Sequence, residues 1–182
     1  MFHLLISTLM KDNILLTPHF ALREFTESAT AMKHGINNRP TPEVVENLRR
    51  LCTHTLEPLR EKLGLPIIIT SGYRTKELNE IIVHAARKSQ HLVGCAADFY
   101  VSGHTDSTDN TDISGLSARE RLVKAFRLII EDEDIDFDQL IIYPTFIHVS
   151  YVSKEKNRHQ LTRASSNGAY TALSRAQALA LR

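Results

Sequence analysis

Two imidazoles and one carboxylate stand where the chain is otherwise apolar. His91 and Asp98 lie seven residues apart in SQHLVGCAAD, and His148 lies in FIHVSYV. Asp98 follows Cys95, Ala96 and Ala97 and precedes Phe99, Tyr100 and Val101, which places its carboxylate inside an expected strand. A bare carboxylate there is costly to bury and needs a partner. A metal ion is one such partner. Two histidines and one carboxylate make the three-ligand set that holds catalytic zinc and leaves a fourth position for water. The small residues between His91 and Asp98 would let the chain turn tightly around an ion. The same residues admit a plainer reading, in which a hydrogen-bonded core histidine sits beside a paired aspartate. Of the other histidines, His3, His19, His34, His54, His104 and His159 fall in surface or loop contexts without a cluster. His84 falls on an expected helix near the site in sequence and ranks below His91 as a ligand.

The elements that must position these groups follow from periodicity. Thr41 is a good N-cap and Pro42 suits the first helical position. Val45, Leu48, Cys52, Leu56, Leu59 and Leu63 then recur every three or four residues up to Gly64, which predicts an amphipathic helix either kinked or divided in two at Pro58. PIIIT reads as a buried strand and SGYR, residues 71–74, as a turn. Residues 75–87 read as a second helix and GCAADFYV as a strand. Residues 102–116 form a polar loop, and Ser117 with Glu120 makes a capping box for a third helix. FDQLIIY and FIHVSYV, separated by Pro144 and Thr145, are too close for a crossover and must pair antiparallel. The expected class is therefore α+β, a small, mainly antiparallel sheet flanked by helices.

Composition narrows the possible roles. The 182 residues suit one domain with tails: an N-terminal extension at 1–17, a domain at 18–152 and a C-terminal tail at 153–182. The tail carries six Lys/Arg against one Glu and is expected to pack weakly, with a possible helix over 171–182. Net charge is +1, which gives no electrostatic case for nucleic acid. No apolar run reaches the ~18 residues of a membrane span. The first residues lack a basic segment and a cleavage site, so no signal peptide is recognised. The expectation is a monomer, cytoplasmic as made, that reaches any extracytoplasmic target after lysis or by separate export. Two distant cysteines, Cys52 and Cys95, make no disulfide framework.

The string S-x-H-x-x-G-x-A-x-D from Ser89 to Asp98 resembles the zinc-binding signature of the D-Ala-D-Ala carboxypeptidases and dipeptidases, which share a fold with the Hedgehog signalling domain. SGYR, LEPLREKLGLPIIIT and FDQLIIYPTFIHVS resemble the segments around that signature, in the same order. Glu24, Phe25, Ser28 and NNRPTPEVVENL resemble the phage and bacterial branch. The resemblance covers residues 18–152. It implies that His91, Asp98 and His148 bind Zn2+ and that Arg74 contacts substrate and steadies a developing oxyanion, as a fixed guanidinium can. Ser71, Tyr73, Ser89, Tyr143 and Ser150 become expected pocket or supporting residues. The implied function is a zinc metallopeptidase acting on the peptide stem of bacterial peptidoglycan, as a D-Ala-D-Ala carboxypeptidase or in the manner of an endolysin.

One feature departs from the family pattern. Its general base is usually an acid a few residues before the last histidine, but Ile142, Tyr143, Pro144, Thr145, Phe146 and Ile147 precede His148. The base is thus unassigned. Asp138, ten residues upstream, or a residue of the 102–116 loop could supply it. Tyr143, near the expected position, is a poor base at its ordinary pKa of ~10. The missing acid supports a second hypothesis, a non-catalytic zinc-containing module that binds cell-wall peptides or a protein partner.

Overall fold

The longest helical column forms around a proline. In the computed structural model, which describes residues 14–83, 85–103 and 115–182, α3 (Pro42–Leu51) runs through a π-helical turn (Cys52–Leu56) into α4 (Glu57–Leu63). The kink expected at Pro58 becomes this wide turn. Proline has no N–H to offer the carbonyl four residues back. That carbonyl, on His54, accepts the Asp136 N–H instead at 3.0 Å, while Thr55 Oγ1 donates to the Asp136 carbonyl at 2.5 Å. The column is thereby fastened to the segment that leads into the central sheet. Gly64, at φ 64°, ends it.

Shorter elements precede the column. β1 (Leu15–Thr17) and β2 (Phe20–Ala21) form a small hairpin, followed by α1 (Leu22–Thr26) and α2 (Ala29–His34). Leu16, which was expected in an N-terminal extension, is buried in the core with Phe20 and Phe25. After the column come β3 (Ile67–Ser71), α5 (Lys76–Ile81), a 3-10 turn (Gln90–Val93), β4 (Ala96–Val101) and α6 (Ala118–Glu131). Helix α5 stops six residues short of its expected end. The β-branched run Ile81–Val83 disfavours helix, and the Asn79 side chain donates to the Ala86 carbonyl at 3.0 Å, folding the chain back. Ser117 and Glu120 form the expected capping box on α6.

β5 (Gln139–Ile142) and β6 (Ile147–Ser150) are the expected antiparallel pair. The sheet has six strands in the order β3-β4-β6-β5-β7-β8, where β7 is Gln160–Ala164 and β8 is Tyr170–Ala172. All its pairings are antiparallel except β5 with β7. The fold is α+β, with a mainly antiparallel sheet.

The stretch after residue 153 departs from its expected weak packing. β7 lies in register beside β5, Leu161 and Ala164 are buried, and α7 (Arg175–Leu179) packs on α6 with Ala178 fully covered. Arg127 Nη2 also holds the Leu181 carbonyl at 2.8 Å. Small side chains suffice here because the sheet edge and α6 are already in place, and backbone pairing supplies the rest. The helix expected over 171–182 is divided between β8 and the short α7.

Strand alternation gives the sheet two unlike faces. Ala97, Phe99, Val101, Leu140, Ile142, Ile147, Val149 and Leu161 point into the core against the column and α6. Each large side chain buried there is worth about 1.5–3 kcal/mol. The opposite face carries Asp98, His148, Ser150, Gln139, Ile141, Gln160 and Thr162 in matched register. All of them except the buried Ser150 floor an open groove of about 960 Å³.

Candidate metal centre

Three elements bring the ligand-type side chains together. Asp98 on β4 and His148 on β6 are direct cross-strand partners and share the groove face. His91 arrives from the 3-10 turn, which Ser89 caps by accepting the His91 N–H and which Gly94 ends at φ 72°. A side chain at Gly94 would meet the Val44 carbonyl at 2.8 Å, so this turn needs both the left-handed backbone and the missing Cβ. Gly72 is equally constrained, because a Cβ there would stand 2.5 Å from the Phe25 backbone. This close approach lets Tyr73 N–H reach the Phe25 carbonyl at 2.7 Å. It also fixes the Gly72 carbonyl where His91 Nδ1 can reach it.

That last contact, at 2.6 Å, sets the state of the ring. A carbonyl only accepts, so His91 Nδ1 carries the proton and Nε2 turns a lone pair toward the cluster. Metal-ligating histidines characteristically donate their other ring nitrogen in this way. His91 Nε2 lies 3.2 Å from His148 Nδ1 and 3.3 Å from Asp98 Oδ1, and the last two atoms are 2.8 Å apart. Ligands ~2.0–2.1 Å from a tetrahedral zinc stand about 3.3 Å from one another. The three atoms therefore fit one face of such a tetrahedron after a small spreading of the Asp98–His148 pair. The donor set is that of a catalytic site with an open position. Among the described residues, this is the one group of three or more ligating side chains close enough to share an ion.

The electrostatics favour the forms that ligation requires. Burial pushes Asp98 up, but His91 and His148 outweigh it and hold the carboxyl far below the usual range, so it is ionised. Burial lowers the pKa of His91, against the opposing pull of Asp98, which keeps the ring neutral.

Arg74 lines the same groove, with its backbone N–H on the His91 carbonyl at 3.1 Å. Its Nη2 is 3.4 Å from Ser89 Oγ, and its buried Nε has no hydrogen-bond partner among the described residues. Burial lowers its pKa, while Asp98 and Tyr143 pull the other way. Tyr143 stacks on Phe146 with ring centroids 4.1 Å apart, and its hydroxyl is 3.0 Å from that of Tyr170. Burial and the Tyr170 contact push the Tyr143 pKa up, so the phenol stays protonated and is a donor rather than a base.

The other expected site residues are placed less directly. Ser71 sits on β3 opposite Asp98, at a register shift in the pairing. Tyr73 belongs to the hydrophobic core and does not line the groove. Ser150 is fully buried, accepts the Gln139 N–H at 3.0 Å and reaches Asp138 Oδ2 at 3.4 Å. Asp138 is engaged elsewhere than in base chemistry. Arg158 donates to it through Nε at 2.8 Å, Nη2 at 2.5 Å and its backbone N–H at 2.9 Å, and Gln90 adds a bond of 2.8 Å. Burial raises the Asp138 pKa, but these bonds prevail and lower it to about 2. Residues 104–114 of the polar loop, and His84, lie outside the described residues.

Gln90, Arg158, Phe146 and Tyr170 line the groove without having been expected there. Gln90 had a signal, its place beside His91. Arg158 and Tyr170 had none, because they reach the groove only through the pairing of β7 with β5 and of β8 with β7.

The sequence model of the family described as Peptidase M15 matches residues 18–122, more than half of the 182-residue chain. The match includes Arg74, His91 and Asp98 and ends before Tyr143 and His148. No curated protein matches. Among the described residues, no helix is long and apolar enough to cross a membrane. The chain belongs to the Peptidase M15 family, the family of zinc D-Ala-D-Ala carboxypeptidase-like enzymes.

Proposed function

We propose that this member of the M15 peptidases is a zinc-dependent hydrolase that cuts an amide bond in the peptide stem of bacterial peptidoglycan. The observation that carries the reading is the triangle of His91 Nε2, His148 Nδ1 and Asp98 Oδ1 with the His91 tautomer fixed by Gly72. A bound zinc would supply Lewis acidity, polarising the scissile carbonyl and acidifying a water.

The chain's own residues would do the rest. His148 Nδ1 and Asp98 Oδ1 lie 2.8 Å apart, a contact that would open as both atoms turn to the ion. Arg74, poorly bonded and partly desolvated, would place its guanidinium against the carbonyl oxygen as negative charge develops there. Tyr143 would donate its phenolic hydrogen toward the same region, held in place by Phe146 and Tyr170. The groove, about 960 Å³, has room for a peptide segment. Action on the wall would follow lysis or separate export.

A second reading has a specific observation behind it. Tyr143, roughly where the family's acid is expected, stays protonated, and Asp138 is locked by Arg158. A zinc-containing module that binds wall peptides without cutting them would have these features. Mass spectrometry of stem peptides and muropeptides after incubation with zinc-loaded protein separates the two readings, with His148→Ala as control. New amide cleavage only with the intact cluster supports the hydrolase. Intact peptides with zinc in place support the binding module.

A further inference from the structure

One rung of the sheet differs in kind from its neighbours. Strand register sets Ile68 of β3 opposite Tyr100 of β4, and Ala164 of β7 opposite Tyr170 of β8. Between them, Tyr143 and Phe146 extend β5 and β6 by one residue each and close their turn, with the Tyr143 N–H on the Phe146 carbonyl at 2.9 Å. Phe99 pairs with Ile147, so Tyr100 is next in line to Phe146. Ile142 pairs with Arg163, so Tyr143 is next in line to Ala164. The whole rung shares the face of Asp98 and His148, because Ile67, Phe99, Ile142 and Ile147 alternate into the core. Tyr100 is two residues from Asp98 and Phe146 two from His148, so the rung runs beside the cluster about 7 Å away.

This rung is aromatic, uncharged and open to water. Ile68, Tyr100 and Tyr170 are 37%, 40% and 61% exposed. They are three of the nine large hydrophobic side chains left exposed among the described residues, and they fall on one line. Tyr143 and Phe146 lie between them, half-buried, with their planes 12° apart. Ala164 is small and buried, so Tyr170 reaches past it to meet Tyr143 edge-on at 6.1 Å. The rung on the far side of His148 is polar instead, with Ser150, Gln139 and Gln160.

The surface sets what can lie on it. A charged ligand finds no opposite charge within the rung. A purely apolar one would cover the rings but strip water from three phenol hydroxyls and return nothing. The Tyr143 and Tyr170 hydroxyls, 3.0 Å apart, spend one donor and one lone pair on each other and keep one donor and three lone pairs. A sugar chain suits both halves of this surface. Its C–H faces lie on aromatic rings, and its hydroxyl and amide edges meet the phenols. Neighbouring strands are about 4.8 Å apart, close to the advance of one sugar in a β-linked chain, so the roughly 19 Å from Tyr100 to Tyr170 spans a few sugars.

We infer that the rung of Ile68, Tyr100, Phe146, Tyr143 and Tyr170 is a binding platform for a linear, uncharged, β-linked glycan chain. That this chain is the sugar strand of peptidoglycan, laid beside the cluster so that its attached stem reaches the metal, rests on the stem-peptide reading above. The platform itself rests on the rung.

Calorimetric titration of the zinc-loaded full chain with the β-linked tetramer of N-acetylglucosamine tests the platform, with maltotetraose, whose α-links curve the chain, as control. The β-linked tetramer should bind about tenfold tighter than maltotetraose. Tyr100→Ser and Tyr170→Ser should each weaken it about fivefold, and together about twentyfold, whereas Tyr100→Phe keeps the ring and should stay within about threefold. The replaced side chains are exposed, and thermal melting checks that each variant folds. A second arm compares a disaccharide-bearing muropeptide with the same stem peptide lacking sugars, reading KM where the stem is cut and Kd where it is not. A lower value for the muropeptide, lost in the double variant, supports the platform and the stem-peptide reading together. Tetramer binding that the variants weaken, with no gain for the muropeptide, keeps the platform and removes peptidoglycan as its ligand. Three results would overturn the inference: no tetramer binding by the folded wild type, equal affinity for the two tetrasaccharides, or affinity unchanged in the double variant. Binding to phosphatidylcholine vesicles in place of the tetramer would overturn it in favour of a lipid surface.

Discussion

Asp98 and Asp138 line one groove, the first from within β4 and the second from just before β5, yet they are built for different work. Both are shielded from water and both are held ionised. Asp98 faces two imidazoles, whose ring nitrogens can present lone pairs to an ion. Asp138 faces a guanidinium, which is always charged and offers only donors. The first arrangement can open around a cation. The second is already complete, with both oxygens bonded to Arg158. A buried carboxylate thus says little about function until its partners are known.

Exchanging the two carboxylates gives the largest contrast. Asp98→Asn should weaken zinc binding by more than about 100-fold, because one ligand and its charge are lost together. Asp138→Asn should leave zinc content unchanged and destabilise the fold by about 2–3 kcal/mol, since Arg158 and Ser150 lose their charged partner. Zinc content by elemental analysis and denaturant melts of both variants would show the crossed pattern. Equal loss of zinc in both would merge the two roles.

Acid titration sharpens the comparison at the Asp138 end. Its folded pKa of about 2 lies below the unfolded value of ~3.9, so its contribution is fully present above pH ~4 and is lost as pH falls toward 2. The wild-type minus Asp138→Asn stability difference should therefore shrink by about 2 kcal/mol between pH 5 and 2. A difference that is flat across that window would show that the ion pair is not stabilising. The smallest expected effect is at Tyr143. Tyr143→Phe should keep zinc and stability and reduce cleavage or peptide affinity by tenfold or less, whereas loss of zinc in that variant would make Tyr143 part of the metal's support.

The two regions also differed in how far they could be read in advance. His91, Asp98 and Arg74 sit in compact motifs, and SGYR and SQHLVGCAAD carry their turns in their glycines. His148 was legible because a polar ring interrupts an apolar strand. Asp138 and Arg158 are twenty residues apart and are joined by β7, a strand with little apolar signal that pairs through its backbone. For the same reason the basic tail looked loose, although it supplies one wall of the groove. Pro58 was visible as a break, but not its resolution, because the carbonyl it frees is satisfied by distant Asp136. Tyr73 looked like a site residue through its motif, yet it faces the core.

Zinc stoichiometry, measured by native mass spectrometry on wild type and His148→Ala, tests the central claim most directly. The account predicts one zinc per wild-type chain and none retained by the variant at equal free zinc, with both proteins folded. A metal-free wild type, or a variant that keeps its zinc, would contradict it.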